Sequence, residues 1–480
     1  MPDSVKRNPP PGSCGEILSI SYPLILTTAS MTVMRFVDRM FLSWYSQTAL
    51  AAATPAGITA FSLVCFFMGV SQYTTTIVAQ YFGANDKTRC GLATWQGIFF
   101  SLASYGAIIL FIPLGPHIFH WGGHSPELVE LEVKYFSILM WGGGLVPLHG
   151  ALAGFFIGRG HTKTTMVANI VGIGVNGVLD YGLIFGRWGF PEMGLTGAAL
   201  ATVLASIVPV AILTVLFFSG ENRRHFTTHR VRFDPPLFQK LLRYGGPAGF
   251  QFFLSIGCFT LFVIMVGRVG EVELAVTNIA LSIDMLVFMP VIGISIATST
   301  LVGQAMGRNE PDLGERTTYS ALMMALAYAG LMAAIFILFP RQLLGIFKTR
   351  GPEVQDFSAI LRYGRHLLIM VAIYSIFDAL GMIFSAGLKG AGDTRFVMWT
   401  SVLVGWTLFV PPVYLTISVF NGGLILAWVW ATLYIVLLGL VYSWRFRRGE
   451  WKKIDMVGDD RKPDTVQPVP VVIEERFPGE

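Results

Sequence analysis

Long apolar stretches alternate with short polar, glycine or proline breaks along almost the whole chain. Twelve of them contain about 20 or more mostly apolar residues, enough for a helix to cross a hydrocarbon core of about 30 Å. They are predicted at 15–44, 49–80, 92–115, 128–158, 164–187, 192–219, 237–269, 272–303, 317–340, 357–388, 396–419 and 423–445. The pattern predicts an all-α membrane protein, and the helices are called spans 1 to 12 below.

The composition agrees with a membrane protein and excludes several other classes. Hydrophobic residues make up 53% of the chain and charged residues 13%, where soluble domains carry about a quarter. The four cysteines are scattered singly, which excludes a disulfide framework, a CxxC redox pair and a cysteine-rich metal site. The polar, proline-rich start predicts no cleavable signal peptide. The formal charge of +5 therefore bears on membrane topology and gives no reason to expect nucleic acid as a partner.

The distribution of Lys and Arg predicts the orientation of the chain. The loops on the side of the two termini carry twelve of these residues and the opposite loops six, so the positive-inside rule places both termini in the cytoplasm. The predicted domains are a cytoplasmic N-terminal tail (1–14), an N-lobe of spans 1 to 6 (15–219), a cytoplasmic connector (220–236), a C-lobe of spans 7 to 12 (237–446) and a cytoplasmic C-terminal tail (447–480). We expect this tail to be disordered from Ile454 onward, because it is charged and proline-rich.

The two halves of the chain repeat each other. A shift of 224 residues pairs Pro23 with Pro247, Gln80 with Gln304 and Gly83 with Gly307, and a shift of 232 pairs Gly158-Arg-Gly160 with Gly390-Ala-Gly392. Both halves have six spans and therefore the same orientation. Parallel repeats of this kind are a transporter architecture with the substrate path between the halves, so we predict two pseudo-symmetric six-helix lobes.

Few charged side chains are predicted at membrane depth, where such groups usually face a cavity or a partner. They are Arg35, Asp38 and Arg39 in span 1, Asp180 in span 5, Asp284 in span 8 and Asp378 in span 10, joined by His149 in span 4. Asp38 and Asp180 each lie about two turns from the outer end of their span, so they share a depth. Asn176 precedes Asp180 by one turn, and Thr202 in span 6 falls near the same layer.

These four oxygen-bearing side chains are predicted to converge on a coupling cation. Hard oxygen ligands suit a proton or an alkali cation, which would be Na+ at Asp38, Asn176 and Asp180, rather than a soft transition metal. No cofactor and no other metal are expected. The alternative is that Asp38 pairs with a neighbouring arginine and that Asp180 caps the outer end of its helix.

The remaining polar residues carry weaker predictions. No depth argument brings Asp284 and Asp378 together, and we expect His149 to be a hydrogen-bonded histidine of the bundle. The stretch 172–177 matches GxGxxG, but it lies inside an apolar span with no preceding strand, so it is not a dinucleotide site. No Gly-rich loop ends in GK followed by Ser or Thr. Transport by this chain would therefore be driven by an ion gradient.

Four segments resemble the MATE family, the multidrug and toxic compound extrusion transporters. They are the span 5 to 6 segment NGVLDYGLIFGRWGFPEMGLTGAALAT, the span 1 segment FVDRMFLSWYSQTALAA, AQYFGAND after span 2 and SAGLKGAGDT at the end of span 10. The resemblance covers about residues 15 to 446. It implies a V-shaped cleft between two six-helix lobes, and efflux of cationic, amphiphilic organic compounds and drugs in exchange for protons or sodium ions.

The resemblance also implies residue roles. Asp38, Asn176, Asp180 and Thr202 match the family's N-lobe cation site, and Asp378 matches a span 10 carboxylate important in one bacterial branch. Ser255 stands where that branch has a span 7 glutamate, so a C-lobe cation site does not carry over directly, although Asp284 could supply a carboxylate. We expect Asp378 and Asp284 to form a substrate site or a second cation site. We expect span 1 to bend at Pro23, which lacks a backbone donor.

The expected protein is thus a monomeric, multi-pass transporter of the bacterial inner membrane, surrounded by lipid, and not an enzyme. A lipid-linked oligosaccharide flippase of the same superfamily is the alternative, but it would need cationic cavity walls where the candidates here are acidic. An intramembrane enzyme is disfavoured because HExxH and GxSxG are absent from the sequence. The physiological substrate and the choice between proton and sodium stay open at this point.

Overall fold

The computed structural model of the chain describes residues 9–122, 125–347, 357–420 and 422–458. Throughout these residues the regular elements are helices, and twelve helical segments are long and apolar enough to cross a membrane. The all-α fold with twelve spans is therefore confirmed. In chain order the spans are Cys14–Tyr45, Gln47–Gly83, Lys87–Trp121, Pro126–Gly158, Thr162–Phe185, Gly194–Phe217, Pro235–Gly267, Glu271–Gly307, Pro311–Leu338, Ile360–Ala391, Thr394–Val419 and Leu424–Arg447.

Side-chain caps mark several of the breaks between spans. The Ser46 hydroxyl accepts a hydrogen bond from the Ala49 amide at the start of span 2, and Asp86 and Asp234 accept equivalent bonds at the starts of spans 3 and 7. Such residues satisfy amide groups that have no partner inside the helix. The polar breaks of the hydrophobic pattern are thus the points at which helices begin.

Two reciprocal hydrogen bonds join the lobes at the end where the chain termini lie. The side-chain amide of Gln80, in the N-lobe, donates to the carbonyl of Gly390 at 2.9 Å. The side-chain amide of Gln304, in the C-lobe, donates to the carbonyl of Gly158, also at 2.9 Å. Both the glutamines and the glycines are partners in the sequence repeat. The repeat therefore builds a pseudo-symmetric joint between the lobes.

Glycines allow the helices of this joint to touch through their backbones. A Cβ atom on Gly83 would overlap the carbonyl of Gln304, and one on Gly307 would overlap the carbonyl of Gln80. Spans 2 and 7 also cross at glycines, because a Cβ on Gly69 would come within 2.7 Å of the Gly249 Cα. Close backbone approach between membrane helices depends on such small residues.

The connector between the lobes is anchored to the N-lobe by a buried arginine. The Arg159 guanidinium lies 3.9 Å from the ring centroid of Phe155 and 4.4 Å from that of Phe226, and it donates to the Asn222 side chain at 3.0 Å. Burial lowers the pKa of Arg159 to about 10, so it keeps its charge at neutral pH. Cation–π contacts and the hydrogen bond replace the water that a buried charge loses.

The segment after span 12 does not leave the protein surface at once. Trp451 is fully buried against the Phe446 ring, with ring centroids 4.7 Å apart, and Met456 and Val457 join the hydrophobic core of the N-lobe. The expectation of disorder from Ile454 is therefore wrong for residues 454–458, because two apolar side chains find a buried position there. Residues 459–480 lie outside the described part of the chain.

Candidate functional site

The two carboxylates predicted to share a depth in the N-lobe lie side by side. Span 1 carries Asp38 and span 5 carries Asp180, and the two spans pack together so that the carboxyl groups are within interaction distance of each other. The Asn176 side chain adjoins Asp180 from the preceding turn of span 5. Three of the four side chains predicted for the cation site are thus in one place.

Several side-chain polar atoms of Asp38, Asn176 and Asp180 are buried and have no hydrogen-bond partner among the described residues. Asp180 is 0% exposed and Asn176 1% exposed. Both carboxylate oxygens of Asp180, both side-chain polar atoms of Asn176 and one oxygen of Asp38 lack a well-formed hydrogen bond among the described residues. Buried polar groups are normally satisfied. An unusual concentration of unsatisfied oxygen atoms therefore lies at this point of the N-lobe.

Three further residues surround the pair. Tyr135 of span 4 lies close enough to both carboxylates for electrostatic interaction, and sequence reasoning missed it because a tyrosine in an apolar span carries no distinctive signal. Arg35 and Arg39 are within electrostatic range of Asp38. Neither arginine forms an ion pair with it among the described residues, and the Arg35 guanidinium lies 5.9 Å from the Phe61 ring centroid instead.

Thr202 does not join the carboxylates through a hydrogen bond. Span 6, which carries it, packs along span 5, but its hydroxyl donates to the carbonyl of Ala198 one turn earlier, at 3.0 Å. A backbone hydrogen bond of this kind is a common arrangement for threonine inside a helix. The structure therefore places Thr202 on the neighbouring helix and brings only the other three predicted side chains together.

A second acidic pair lies in the C-lobe and is formed by two residues that no depth argument brought together. Asp284 of span 8 and Asp378 of span 10 interact electrostatically, and the Tyr374 hydroxyl lies against the Asp284 carboxyl. Both aspartates are half-buried, so they keep access to solvent or to a ligand. The Tyr374 ring stacks at 26° on Trp428. The carboxylates are thus backed by aromatic rings.

Ser255 belongs to a separate polar cluster of the C-lobe. Its hydroxyl lies 3.1 Å from that of Ser401, and the Tyr434 hydroxyl is close to both serines. Tyr434 is also within electrostatic range of Asp378. A hydroxyl cluster therefore surrounds Ser255, and the nearby negative charge comes from span 10.

His149 is a half-buried histidine whose ring has a polar neighbour on one side. Its ring adjoins the Asn169 side chain of span 5, while its Nε2 atom has no hydrogen-bond partner among the described residues. The expectation of a histidine held within the bundle agrees with the contact to Asn169. This histidine lies outside the group formed by Asp38, Asn176 and Asp180.

The chemistry of the N-lobe site follows from its donor set. Two adjacent carboxylates in a buried place cannot both keep their charge without compensation by a proton or a cation. The available ligands are carboxylate and amide oxygens, which suit a proton or an alkali cation. No group of three or more His, Cys, Asp or Glu that could hold a metal is found in the described ranges.

Comparison with known proteins agrees with this architecture. Curated relatives include two proteins described as probable multidrug resistance protein NorM. The one from Bradyrhizobium diazoefficiens is 29% identical over 423 residues, which cover 86% of this chain and 88% of the relative. The one from Thermotoga maritima is 25% identical and covers 91% of this chain and 93% of its own length.

Solved structures show the same fold. A structure described as the outward-facing conformation of a multidrug resistance MATE family transporter of the MOP superfamily matches with a TM-score of 0.82 at 22% identity, over 92% of this chain and 97% of that one. Another, described as MATE in the bent conformation, matches with a TM-score of 0.80 at 22% identity, over 92% of this chain and 96% of that one. The MatE family model matches residues 23–182 and 247–415, one segment in each lobe. The chain therefore belongs to the MATE family of membrane transporters.

Proposed function

We propose that the protein is a secondary antiporter that exports cationic or amphiphilic organic compounds, drugs included, in exchange for protons or sodium ions. Its family and the multidrug resistance names of its relatives support export. In this proposal the coupling cation binds in the N-lobe at Asp38, Asn176 and Asp180, with Thr202 on the adjoining helix. The organic cation binds in the C-lobe at Asp284 and Asp378.

The observation that carries this proposal is the Asp38–Asp180 pair, whose unsatisfied oxygen atoms are buried. A structural carboxylate in a membrane bundle would be expected to find an arginine or a set of hydrogen-bond donors. Asp180 instead faces a second carboxylate and an amide. A cation bound by both carboxylates would relieve the repulsion between them. The repulsion would return when the cation leaves.

Span 1 links cation binding to the contact between the lobes. Pro23 lies inside this helix and cannot donate to the carbonyl one turn before it. About one and a half turns further along, Thr28 donates to the carbonyl of Ile25 at 2.9 Å and lies 3.5 Å from the carbonyl of Met289 in span 8. Neutralisation of Asp38 would thus act on a helix that is weakened at Pro23 and that contacts the C-lobe directly. The resulting bend would narrow the cleft and expel the organic cation.

The C-lobe pair suits an organic cation because it combines half-buried carboxylates with aromatic rings. Negative charge attracts the cationic centre, and an aromatic face such as Tyr374 adds a cation–π contribution of about 0.5–2 kcal/mol. The flippase alternative would require cationic groups to bind a pyrophosphate. The acidic character of this pair favours cation export over that alternative.

The decisive experiment is transport in proteoliposomes containing the full chain, with the proton and sodium gradients imposed one at a time. We expect one gradient to drive uptake of a fluorescent organic cation into inside-out vesicles, and Asp38→Asn and Asp180→Asn each to abolish this uptake. Glu130→Gln serves as the matched control, because it replaces one carboxylate by an amide on the exposed surface of span 4.

Equilibrium binding of the same organic cation separates a coupling role from a folding role. Both aspartate variants should still bind the compound in detergent, because its proposed site is in the other lobe. Normal gradient-driven transport in either variant would contradict the proposed cation site. Loss of binding together with loss of transport would contradict the division of roles between the lobes.

The orientation of the chain is part of the proposal and has its own test. A reporter fused after Arg224 or after Arg448 should be cytoplasmic, because these positions follow the basic loops that the positive-inside rule keeps inside. A reporter inserted after Gly122, in the loop between spans 3 and 4, should be external. A cytoplasmic signal from the third position would contradict the twelve-span topology.

A further inference from the structure

A groove with a volume of about 750 Å³ lies between the end of span 9, the short helix Pro340–Gly345 and the beginning of span 10. Its walls are of two kinds. Ile337, Leu338 and Leu361 are apolar, while Arg341, Arg362 and Arg365 are basic. The groove is on the membrane face opposite the chain termini, because span 9 ends and span 10 begins there.

The depth of this groove follows from the length of span 10. The helix Phe357–Ala391 has 35 residues, so at 1.5 Å per residue it is about 52 Å long, whereas the hydrocarbon core is about 30 Å thick. Its first turns must project into the headgroup region or beyond. Arg362 and Arg365 are therefore at the level of the lipid headgroups, and Ile337 and Leu338 at the end of span 9 are 53% and 69% exposed beside them.

The three arginines have no carboxylate partner among the described residues, where none of the ion pairs includes them. The described segments that form the groove, 337–347 and 360–369, contain no Asp or Glu. Arg362 and Arg365 are three residues apart on one helix, an arrangement in which like charges repel each other. Three arginines thus line the groove, and no described carboxylate pairs with any of them.

The equivalent place in the N-lobe lacks the three arginines. The short helix Gly115–Trp121 corresponds to Pro340–Gly345, and the repeat aligns Arg341 with His117, Arg362 with Glu130 and Arg365 with Val133. The fold alone therefore does not require arginines here. The positive-inside rule also disfavours them, because basic residues are normally depleted from this side of the membrane.

We propose that this groove binds an anionic phospholipid. The guanidinium groups would hold the headgroup phosphate through charge-assisted hydrogen bonds, which arginine forms in a bidentate fashion. The apolar walls would receive the beginning of the acyl chains. The occupant is a lipid rather than a free phosphate because half of the lining is apolar and adjoins exposed side chains at membrane depth.

The test is native mass spectrometry of the purified full chain titrated with dioleoyl-phosphatidylglycerol or dioleoyl-phosphatidylcholine. We expect at least about tenfold tighter binding of the first lipid, since its headgroup carries a net negative charge that three arginines attract. The triple variant Arg341→Gln/Arg362→Gln/Arg365→Gln should lose this preference. The single variant Arg362→Gln should lose part of it, and it provides the test should the triple variant fail to fold.

A charge-matched triple variant at Lys134, Arg187 and Arg268, each changed to Gln, is the control. These residues are exposed on the same membrane face and away from the groove, so the preference should persist. An equal loss in this control, or an unchanged preference in both groove variants, would overturn the proposal. Glycerol 3-phosphate, which has the charge without the acyl chains, should not compete at millimolar concentration; competition would identify a phosphate site and overturn the assignment to a lipid.

Discussion

The two lobes share one fold but place their acidic residues differently. The repeat aligns Asp38 of the N-lobe with Phe262 of the C-lobe, and it aligns Asp378 of the C-lobe with Val146 of the N-lobe. Phe262 is 1% exposed, and its ring lies 5.5 Å from Phe409 and 5.9 Å from Trp428. The position that carries a carboxylate in one lobe thus belongs to an aromatic core in the other.

Residues kept in both lobes form the joint, and residues that differ supply the proposed chemistry. Gln80 and Gln304 make equivalent hydrogen bonds across the joint. The acidic pairs, by contrast, occur in one lobe each. Two matching surfaces suit a duplicated bundle whose halves rock about one axis, whereas the proposed exchange gives its two ligands different sites. The comparison therefore distinguishes the joint from the proposed binding sites, and three sets of substitutions test that distinction.

The largest loss of stability is expected when the C-lobe position aligned with Asp38 is changed to aspartate. Phe262→Asp would bury a charge among aromatic rings without a polar partner, and we expect it to destabilise the fold by about 3–5 kcal/mol, as uncompensated buried charges do. Thermal unfolding of the purified protein in detergent measures this. Phe262→Leu is the control, with a smaller loss. A stable Phe262→Asp variant would show that the C-lobe position already accepts a carboxylate.

An intermediate effect is expected at the glycines of the joint. Gly83→Ala and Gly307→Ala each place a methyl group against a carbonyl of the other lobe, and we expect each to cost about 1–3 kcal/mol of stability through overpacking. Gly106→Ala and Gly330→Ala are matched controls, because the repeat aligns these two helical glycines and nothing lies within 4 Å of either Cβ position. They should stabilise by up to about 1 kcal/mol. Similar melting temperatures for all four variants would contradict a packed joint.

The sequence predicts the spans, the repeat and the N-lobe pair because each depends on local pattern or on depth. It does not predict the contact between Asp284 and Asp378. Counted from the outer ends of their helices, Asp284 is about 20 Å and Asp378 about 31 Å along the axis. The two meet because span 10 begins well outside the membrane, which a count of apolar residues does not show.

The burial of two other groups of side chains could not be predicted from the sequence, for separate physical reasons. Met456 and Val457 are too few to form a periodic pattern, so their burial in the N-lobe core depends on a surface that only the fold creates. The residues around Arg159 resemble an ordinary basic loop. Its burial between Phe155 and Phe226 requires the connector to fold back, which no local signal indicates.

The smallest effect is expected for single neutralisation of the C-lobe pair. Asp378→Asn and Asp284→Asn each remove one of two half-buried negative charges, and we expect each to weaken binding of an organic cation by roughly fivefold, or about 1 kcal/mol, because solvent screens part of the interaction. Binding of a neutral compound of similar size and shape should be unchanged. Fluorescence titration of the purified protein with both compounds measures the difference.

The double variant sharpens this last prediction, because the two carboxylates lie close enough to repel each other in the free protein. A bound cation relieves that repulsion, so each single variant loses one attraction and also this relief. The double variant should therefore lose more cation affinity than either single variant but less than the two single losses added together, because that sum counts the lost relief twice. Equal losses for cationic and neutral compounds would mean that the aspartates support the shape of the cleft rather than its charge. A loss in the double variant no greater than in either single variant would mean that only one of them contacts the ligand.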